Sequence, residues 1–173
     1  FKQKTAYEIP KRDWSSDVCS SDLEGFRAEG LDVIYAGMLP TPAVAFLAAT
    51  TGRAGAVVTA SHNPYTDNGL KLFRPGGTKL TDADEAAIQA LYEGFVADQV
   101  PFIAPAGDVD TRLGGDYVGH LASMATDVVP GLRVVVDCAN GAMSRVAPEL
   151  LARIGVEVLV FNASPDGTNI NVA

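Results

Sequence analysis

Apolar runs, cut at intervals by Gly, Pro and Asn, organise most of this chain. LDVIYAGM (31–38) is apolar apart from Asp32 and predicts a buried strand. PTPAVAFLAATTG follows and predicts a helix, with Thr41 as N-cap, Pro42 at the first helical position and Gly52 as the stop. GAVVTA (55–60) predicts a short buried strand, and GLKLF (69–73) alternates as a second one. Gly76-Gly77 predicts a hairpin turn. TDADEAAIQALYEGFVA is the clearest helix, opened by Thr81 with Asp84 three residues on. Its Ile88, Leu91, Tyr92 and Phe95 recur at i, i+3, i+4 and i+7, which predicts one buried stripe.

VPFIAPAGDVD (100–110) reads as a linker, and a helical pattern follows in GGDYVGHLASMATDVV (114–129). LRVVVDCA then predicts a strand, SRVAPELLARIG a helix with Pro148 tolerated in its first turn, and VEVLVFNA a strand. That order is a β-α-β unit with parallel strands. The whole alternation indicates an α/β fold of mixed, mostly parallel sheets flanked by helices.

Residues 1–23, FKQKTAYEIPKRDWSSDVCSSDL, show neither periodicity nor caps. They resemble translated sequencing-library adapter, with Pro10, Lys11 and Arg12 at the variable index bases. A disordered polar leader is the other reading, and under both the stretch is expected to stand outside the fold. Its four basic residues (Lys2, Lys4, Lys11, Arg12) balance four acidic ones (Glu8, Asp13, Asp17, Asp22), so the net charge of −8 belongs to the remainder. That charge argues against a nucleic-acid or anionic-membrane partner. No apolar run reaches the roughly 18 residues that span a bilayer, and no charged n-region precedes an apolar h-region, so no secretory leader is expected. Setting the leader aside leaves Cys138 alone, with no intrachain disulfide possible, which fits a reducing cytoplasm.

The chemistry concentrates in TASHNPYTDNGLK (59–71). Ser61 stands at the end of a strand, where ligands sit in open α/β sheets. Pro64 forces Asn63 from the helical region and Asn68-Gly69 turns the chain again, so Lys71 can approach Ser61. A hydrolase with Ser61 as nucleophile and His62 as base fits poorly: adjacent residues of an extended chain point to opposite sides, and no Gly-x-Ser-x-Gly elbow is present. A Walker phosphate loop is absent. A phosphoryl carrier fits better, with Ser61 holding the phosphate, His62 and Lys71 steering its charge and a divalent cation completing the site. The residue types alone equally allow a Ser/Asn-rich turn that closes a strand.

This loop resembles the active-site loop of the α-D-phosphohexomutases, which move a phosphate between the C6 and C1 oxygens of a sugar through a phosphoserine. GMLPTPAVAFL before it, RPGGTKLTDADEAAI after it, and the stretch from LRVVVDCANGA to PDGTNINVA also resemble the family. The resemblance covers 24–173 and implies a partial first domain (24–110) and the start of a second (111–173). LPTPAVAFL, VVDCANGA and PDGTNIN are most similar to the bacterial branch that acts on glucosamine phosphates, with mannose or glucose phosphates as alternatives. It implies Ser61 as the phosphoserine and, through its phosphate, a ligand of one Mg2+; His62 and Lys71 as catalytic groups of the cleft; and a sugar 1,6-bisphosphate as activator. A non-catalytic sugar-phosphate-binding module remains the reading from another class. Family features upstream and downstream, including the Asp-Gly-Asp metal loop and the sugar-recognition loop, do not fall within 24–173, so the chain by itself is expected to be inactive.

Other residues read as structural. Cys138 is expected in the core and His120 at the surface or a packing boundary. Asn63 and Asn68 are expected to hold their loop by backbone bonds. Asp137, Asn140 and Gly141 are expected to form a strand-to-helix turn that could face the cleft.

Overall fold

The structure, a computed structural model, describes residues 23–59, 69–94, 108–129 and 131–171, with the backbone alone at 92–94. The leader 1–22, the loop 60–68 and most of the proposed linker (100–107) lie outside the described residues. A helical turn over 23–28, not expected from the pattern, ends at Gly30. After it come α1 (Thr41–Thr51), β1 (Gly55–Val58), β2 (Leu70–Phe73), α2 (Asp82–Gly94), α3 (Thr111–Met124), β3 (Arg133–Asp137), α4 (Val146–Arg153) and β4 (Glu157–Phe161). None of these helices is long and apolar enough to cross a membrane.

The alternation of strands and helices is as the pattern predicts, with one strand missing. Residues 31–38 form no strand, and Leu31 and Ile34 are 57 and 44% exposed. An apolar run becomes a strand only where a neighbour completes its ladder. Tyr35 instead gives its carbonyl to the Asp110 N–H at 2.8 Å, tying this segment to the start of α3.

Helix α1 begins one residue earlier than the Thr41 cap predicts. Pro40 is its N-cap, with no side-chain cap, and Thr41 is already helical. Its C-cap is Gly52 at φ 67°, the stop the pattern predicts. The Gly76–Gly77 turn that follows β2 is a hairpin turn, closed by the Phe73–Lys79 bridge and by Arg74 N–H to the Thr78 carbonyl. It rests on α1: Gly76 donates to the Ala48 carbonyl, and a Cβ on Gly77 would stand 2.3 Å from the Ala45 carbonyl oxygen. With φ at 78°, only glycine fits there.

At the start of α2 the Thr81 hydroxyl accepts from the Asp84 N–H at 3.3 Å, and the Asp84 carboxylate accepts from the Thr81 N–H at 2.8 Å. This is the reciprocal capping box that the Thr-x-x-Asp spacing predicts. Asp84 also accepts from the Thr81 hydroxyl and pairs with Arg74, which ties the helix to the end of β2. These hydrogen bonds, those from Thr81 foremost, pull the Asp84 carboxyl down to about 2. The stripe predicted to be buried is not: Ile88 is 44% and Leu91 67% exposed. Periodicity sets which side chains share a face, but burial needs a partner. Tyr92 and Phe95, the rest of that stripe, lie outside the described side chains.

Helix α3 starts at Thr111, earlier than its pattern predicts, because Asp110 is a cap rather than the end of a linker. The Asp110 carboxylate accepts from the Arg112 N–H at 3.1 Å and from its guanidinium. That helix carries the core. Tyr117 and Val118 on α3 pack with Leu39, with Ala43 and Leu47 of α1, and with Val146 of α4. Val118 and Val146 are each 1% exposed. Phe46 lies against Tyr117 and stacks on His120 at a centroid distance of 4.3 Å, with His120 itself exposed at the surface. The cluster thus draws on both sides of the proposed 110/111 division.

Strands β1 and β2 are antiparallel, while β3 and β4 are parallel and joined through α4 as the pattern predicts. In the parallel pair Arg133, Val135 and Asp137 stand opposite Glu157, Leu159 and Phe161. These six share one face, and it is the exposed one.

Two outcomes follow. Val118→Ala removes a fully buried side chain from between three elements and should destabilise the fold by about 2 kcal/mol, read as a lower urea midpoint at unchanged slope. Thr81→Ala should cost about 1 kcal/mol of helix stability and speed amide exchange in the first turn of α2. The Asp84 contribution has its own pH window. Its folded pKa is depressed, so its stabilisation is complete above the unfolded value near 3.9 and is lost as pH falls through about 2. First-turn protection that stays constant from pH 5 to about 2 would contradict this assignment.

Candidate active site

The β1–β2 hairpin carries the chemistry-bearing loop. Its ladder pairs Gly55 with Phe73, Val57 with Lys71 and Val58 with Leu70. One more bond, Thr59 N–H to the Gly69 carbonyl at 2.8 Å, closes it. Closure is tight: a Cβ on Gly69 would stand 3.0 Å from the Thr59 carbonyl oxygen. The loop therefore starts and ends on two paired residues.

Ser61 and His62 lie outside the described residues, as do Asn63 and Asn68. Lys71 is described. It is half-buried on β2, two residues beyond the ladder's closing pair, and it shares a face with Gly55, Val57 and Phe73. That face turns toward α1, since a Cβ on Gly55 would meet Val44 and Phe73 is 4% exposed. Among the described residues no ion pair involves Lys71. Register thus places Lys71 on β2 close to the base of the loop.

A second polar cluster closes the carboxyl ends of β3 and β4, the edge of a parallel sheet where ligands bind in this class of fold. Ala139 and Asn140 turn the chain with φ near +50°, and Asn162 and Asn171 are also left-handed. Asp137 accepts from the Ala139 N–H at 2.8 Å and the Asn162 amide at 3.0 Å, and these bonds, the first the larger, hold its carboxyl below the usual range. Asn140 does more than supply turn geometry: its side chain reaches Ser164, just before the PDGTNIN segment, and Asn169 within it. The sequence reading missed this pairing. Its one local signal was Asp166, whose carboxylate accepts from the backbone of Thr168 and Asn169 in the manner of an Asx turn.

Cys138 is buried, as expected, and burial, with a smaller push from Asp137, raises its thiol pKa. Such a thiol is unreactive. Among the described residues no three His, Cys, Asp or Glu side chains group to hold a metal. The one donor implied for a cation, the phosphate on Ser61, falls on the undescribed loop.

Known proteins resemble this arrangement. Residues 11–95 match the model for "phosphoglucomutase/phosphomannomutase, alpha/beta/alpha domain I", a span that includes the Ser61 loop and also overlaps positions 11–23 of the leader. Phosphoglucosamine mutase of Brucella ovis is 47% identical over 158 residues, covering 86% of this chain and 34% of that protein. The enzyme of the same name from Rhodococcus erythropolis is 47% identical over 152 residues, covering 85 and 34%. The crystal structure of a phosphoglucomutase/phosphomannomutase family protein from Burkholderia thailandensis superimposes with a TM-score of 0.61 at 31% identity, covering 84% of this chain and 32% of that one. The chain thus spans about a third of the length of the relatives it matches. With α/β architecture, the serine-loop hairpin and these likenesses in agreement, the chain belongs to the phosphoglucomutase/phosphomannomutase family of phosphohexomutases.

Proposed function

We propose that this chain is part of a phosphosugar mutase that interconverts glucosamine 6-phosphate and glucosamine 1-phosphate, with Ser61 as its phosphoryl carrier. The observation that carries this reading is TASHNPYTDNGLK on a closed hairpin inside the family match, joined to 47% identity with enzymes named phosphoglucosamine mutase. Segments 24–110 and 111–173 are portions of a first and a second domain, with α3, the first helix of the second segment, packed against α1 of the first. The small-molecule partner is a phosphosugar. A buried, unreactive Cys138 is in keeping with work in a reducing cytoplasm.

In this mechanism a sugar hydroxyl oxygen attacks the phosphorus of phosphorylated Ser61. The O–P bond to the sugar forms as the bond to the serine Oγ breaks. The resulting bisphosphate turns over and returns its other phosphate to Ser61. A sugar 1,6-bisphosphate added from outside loads the serine in the first cycle. Lys71 and His62 meet the charge of the transferring group, and Lys71 manages the proton of the attacking hydroxyl. Mg2+, held in part by the phosphate on Ser61, would neutralise charge on the transferring phosphoryl.

The family model's own name supports mannose or glucose phosphates as the second reading of the substrate. A module that only binds sugar phosphate has no need of a phosphorylated serine. Grafting residues 24–173 into the Brucella ovis enzyme in place of the matching segment tests the phosphoryl carrier against the binding module. The chimera should convert glucosamine 6-phosphate, with mass spectrometry placing a phosphate on Ser61. Ser61→Ala should reduce turnover to the uncatalysed background, and Lys71→Met should lower it by about 10²–10⁴, the range of a general acid–base contribution. Phosphate found consistently on Thr59 or Thr66 would overturn the assignment of Ser61. A folded chimera that binds glucosamine 6-phosphate without turnover and without serine phosphate would favour the binding module.

A further inference from the structure

Asn140–Gly141 is an Asn–Gly pair, and glycine leaves the following backbone nitrogen unhindered. Such a pair can deamidate. The Gly141 nitrogen attacks the Asn140 Cγ, an N–C bond forms, the Cγ–Nδ2 bond breaks, and Nδ2 leaves as ammonia with the proton that Gly141 gives up. Water then opens the cyclic imide at either carbonyl, leaving aspartate or isoaspartate. Ring closure needs the side-chain amide to swing onto the next nitrogen, so both must be free to move.

Here neither is. The Asn140 Oδ1 accepts from the Ser164 N–H at 3.1 Å and its Nδ2 donates to the Asn169 carbonyl at 3.3 Å. Its backbone N–H donates to the Asn162 carbonyl at 2.6 Å, and the attacking nitrogen of Gly141 donates to the Cys138 carbonyl at 2.8 Å. The partners of the amide are themselves fixed. Asp166 Oδ1 accepts from Thr168 N–H, the Thr168 hydroxyl and Asn169 N–H, all within 2.9 Å. Asn169 answers with Oδ1 to the Asp166 N–H and Nδ2 to the Ser164 carbonyl, each at 3.0 Å. Asn171 N–H reaches the Ala139 carbonyl and fastens the far end of the segment to the same turn.

We propose that Asn140 is a fold-gated deamidation site, silent while segment 164–171 is latched onto the β3–α4 turn and reactive when that latch opens. The product does not relatch. A carboxylate at 140 has no N–H for the Asn169 carbonyl, and it adds negative charge three residues from Asp137. Deamidation would thus mark, irreversibly, each chain whose sheet-end turn has opened. This reading is independent of the mutase assignment.

The test is peptide mapping for aspartate and isoaspartate at 140 after incubation of the full chain at mildly alkaline pH, in buffer and through a urea series. In denaturing urea Asn140 should react at a rate comparable to Asn68, the chain's other Asn–Gly pair. In buffer it should be slower by about tenfold or more, the factor given by about 1.4 kcal/mol of local opening free energy. Asp166→Ala and Asn169→Ala, checked for retained helix by circular dichroism, should accelerate the folded-state reaction severalfold. If both variants unfold, the urea series decides: the rate at 140 should rise below the global midpoint. Equal rates in buffer and denaturing urea, folded variants that leave the rate unchanged, or a rate that follows global unfolding alone would each overturn the proposal.

Discussion

One buried contact sets the arrangement: the two-sided packing of α3. Tyr117 and Val118 cluster with Leu39, with Ala43 and Leu47 of α1, and with Val146 of α4. Each β-unit by itself is a pair of strands with a single helix, which is too little to exclude water from both faces of that helix. The shared helix supplies the missing wall to both. It also fixes where the serine-loop hairpin can stand, because β1 and β2 hang from α1 and α1 is seated by α3. The Asp110 cap and the Asp110–Tyr35 backbone bond start this helix at the point where residues 31–38 pass it.

Much of this could be read from sequence because it is local. The capping box at Thr81 and Asp84, the Gly52 stop, the Gly76–Gly77 turn and the β3–α4–β4 unit each depend on residues close together in the chain, and each is where spacing put it. What failed depends on distant partners. Residues 31–38 carry the composition of a buried strand without its ladder, and Ile88 and Leu91 carry a helical stripe without a wall. Caps misread by a residue or more, at Pro40 and Asp110, show the same limit at small scale: a Thr beside Pro and an Asp at the end of a linker each allow two readings until the helix axis is placed.

The candidate site divides in a similar way. Lys71 follows from strand register, and the family resemblance of the serine loop rests on residue order alone, so both were legible. The pairing of Asn140 with the PDGTNIN segment joins positions more than twenty residues apart, and no short motif announces it. Its trace in the sequence was indirect: four Asn and two Asp residues spread over two stretches that each looked like an ordinary turn. Left-handed conformations at Ala139, Asn140, Asn162 and Asn171 gather there. Such conformations are costly for non-glycine residues and persist where surrounding bonds over-determine them.

The seating of α1 on α3 also has a consequence in time. Ala43 and Leu47 are covered by Tyr117 and Val118, about 70 residues further along the chain. At synthesis rates of about 5–20 residues per second, roughly 4–15 seconds separate the emergence of the two helices. During that interval the apolar side of α1 has only the hairpin to lean on. The contacts of α3 with α4, by contrast, span a short stretch and need little loop closure. Assembly should therefore begin in the later-made half, which then captures the earlier one. For a nascent chain, the order of synthesis and the order of folding run in opposite directions.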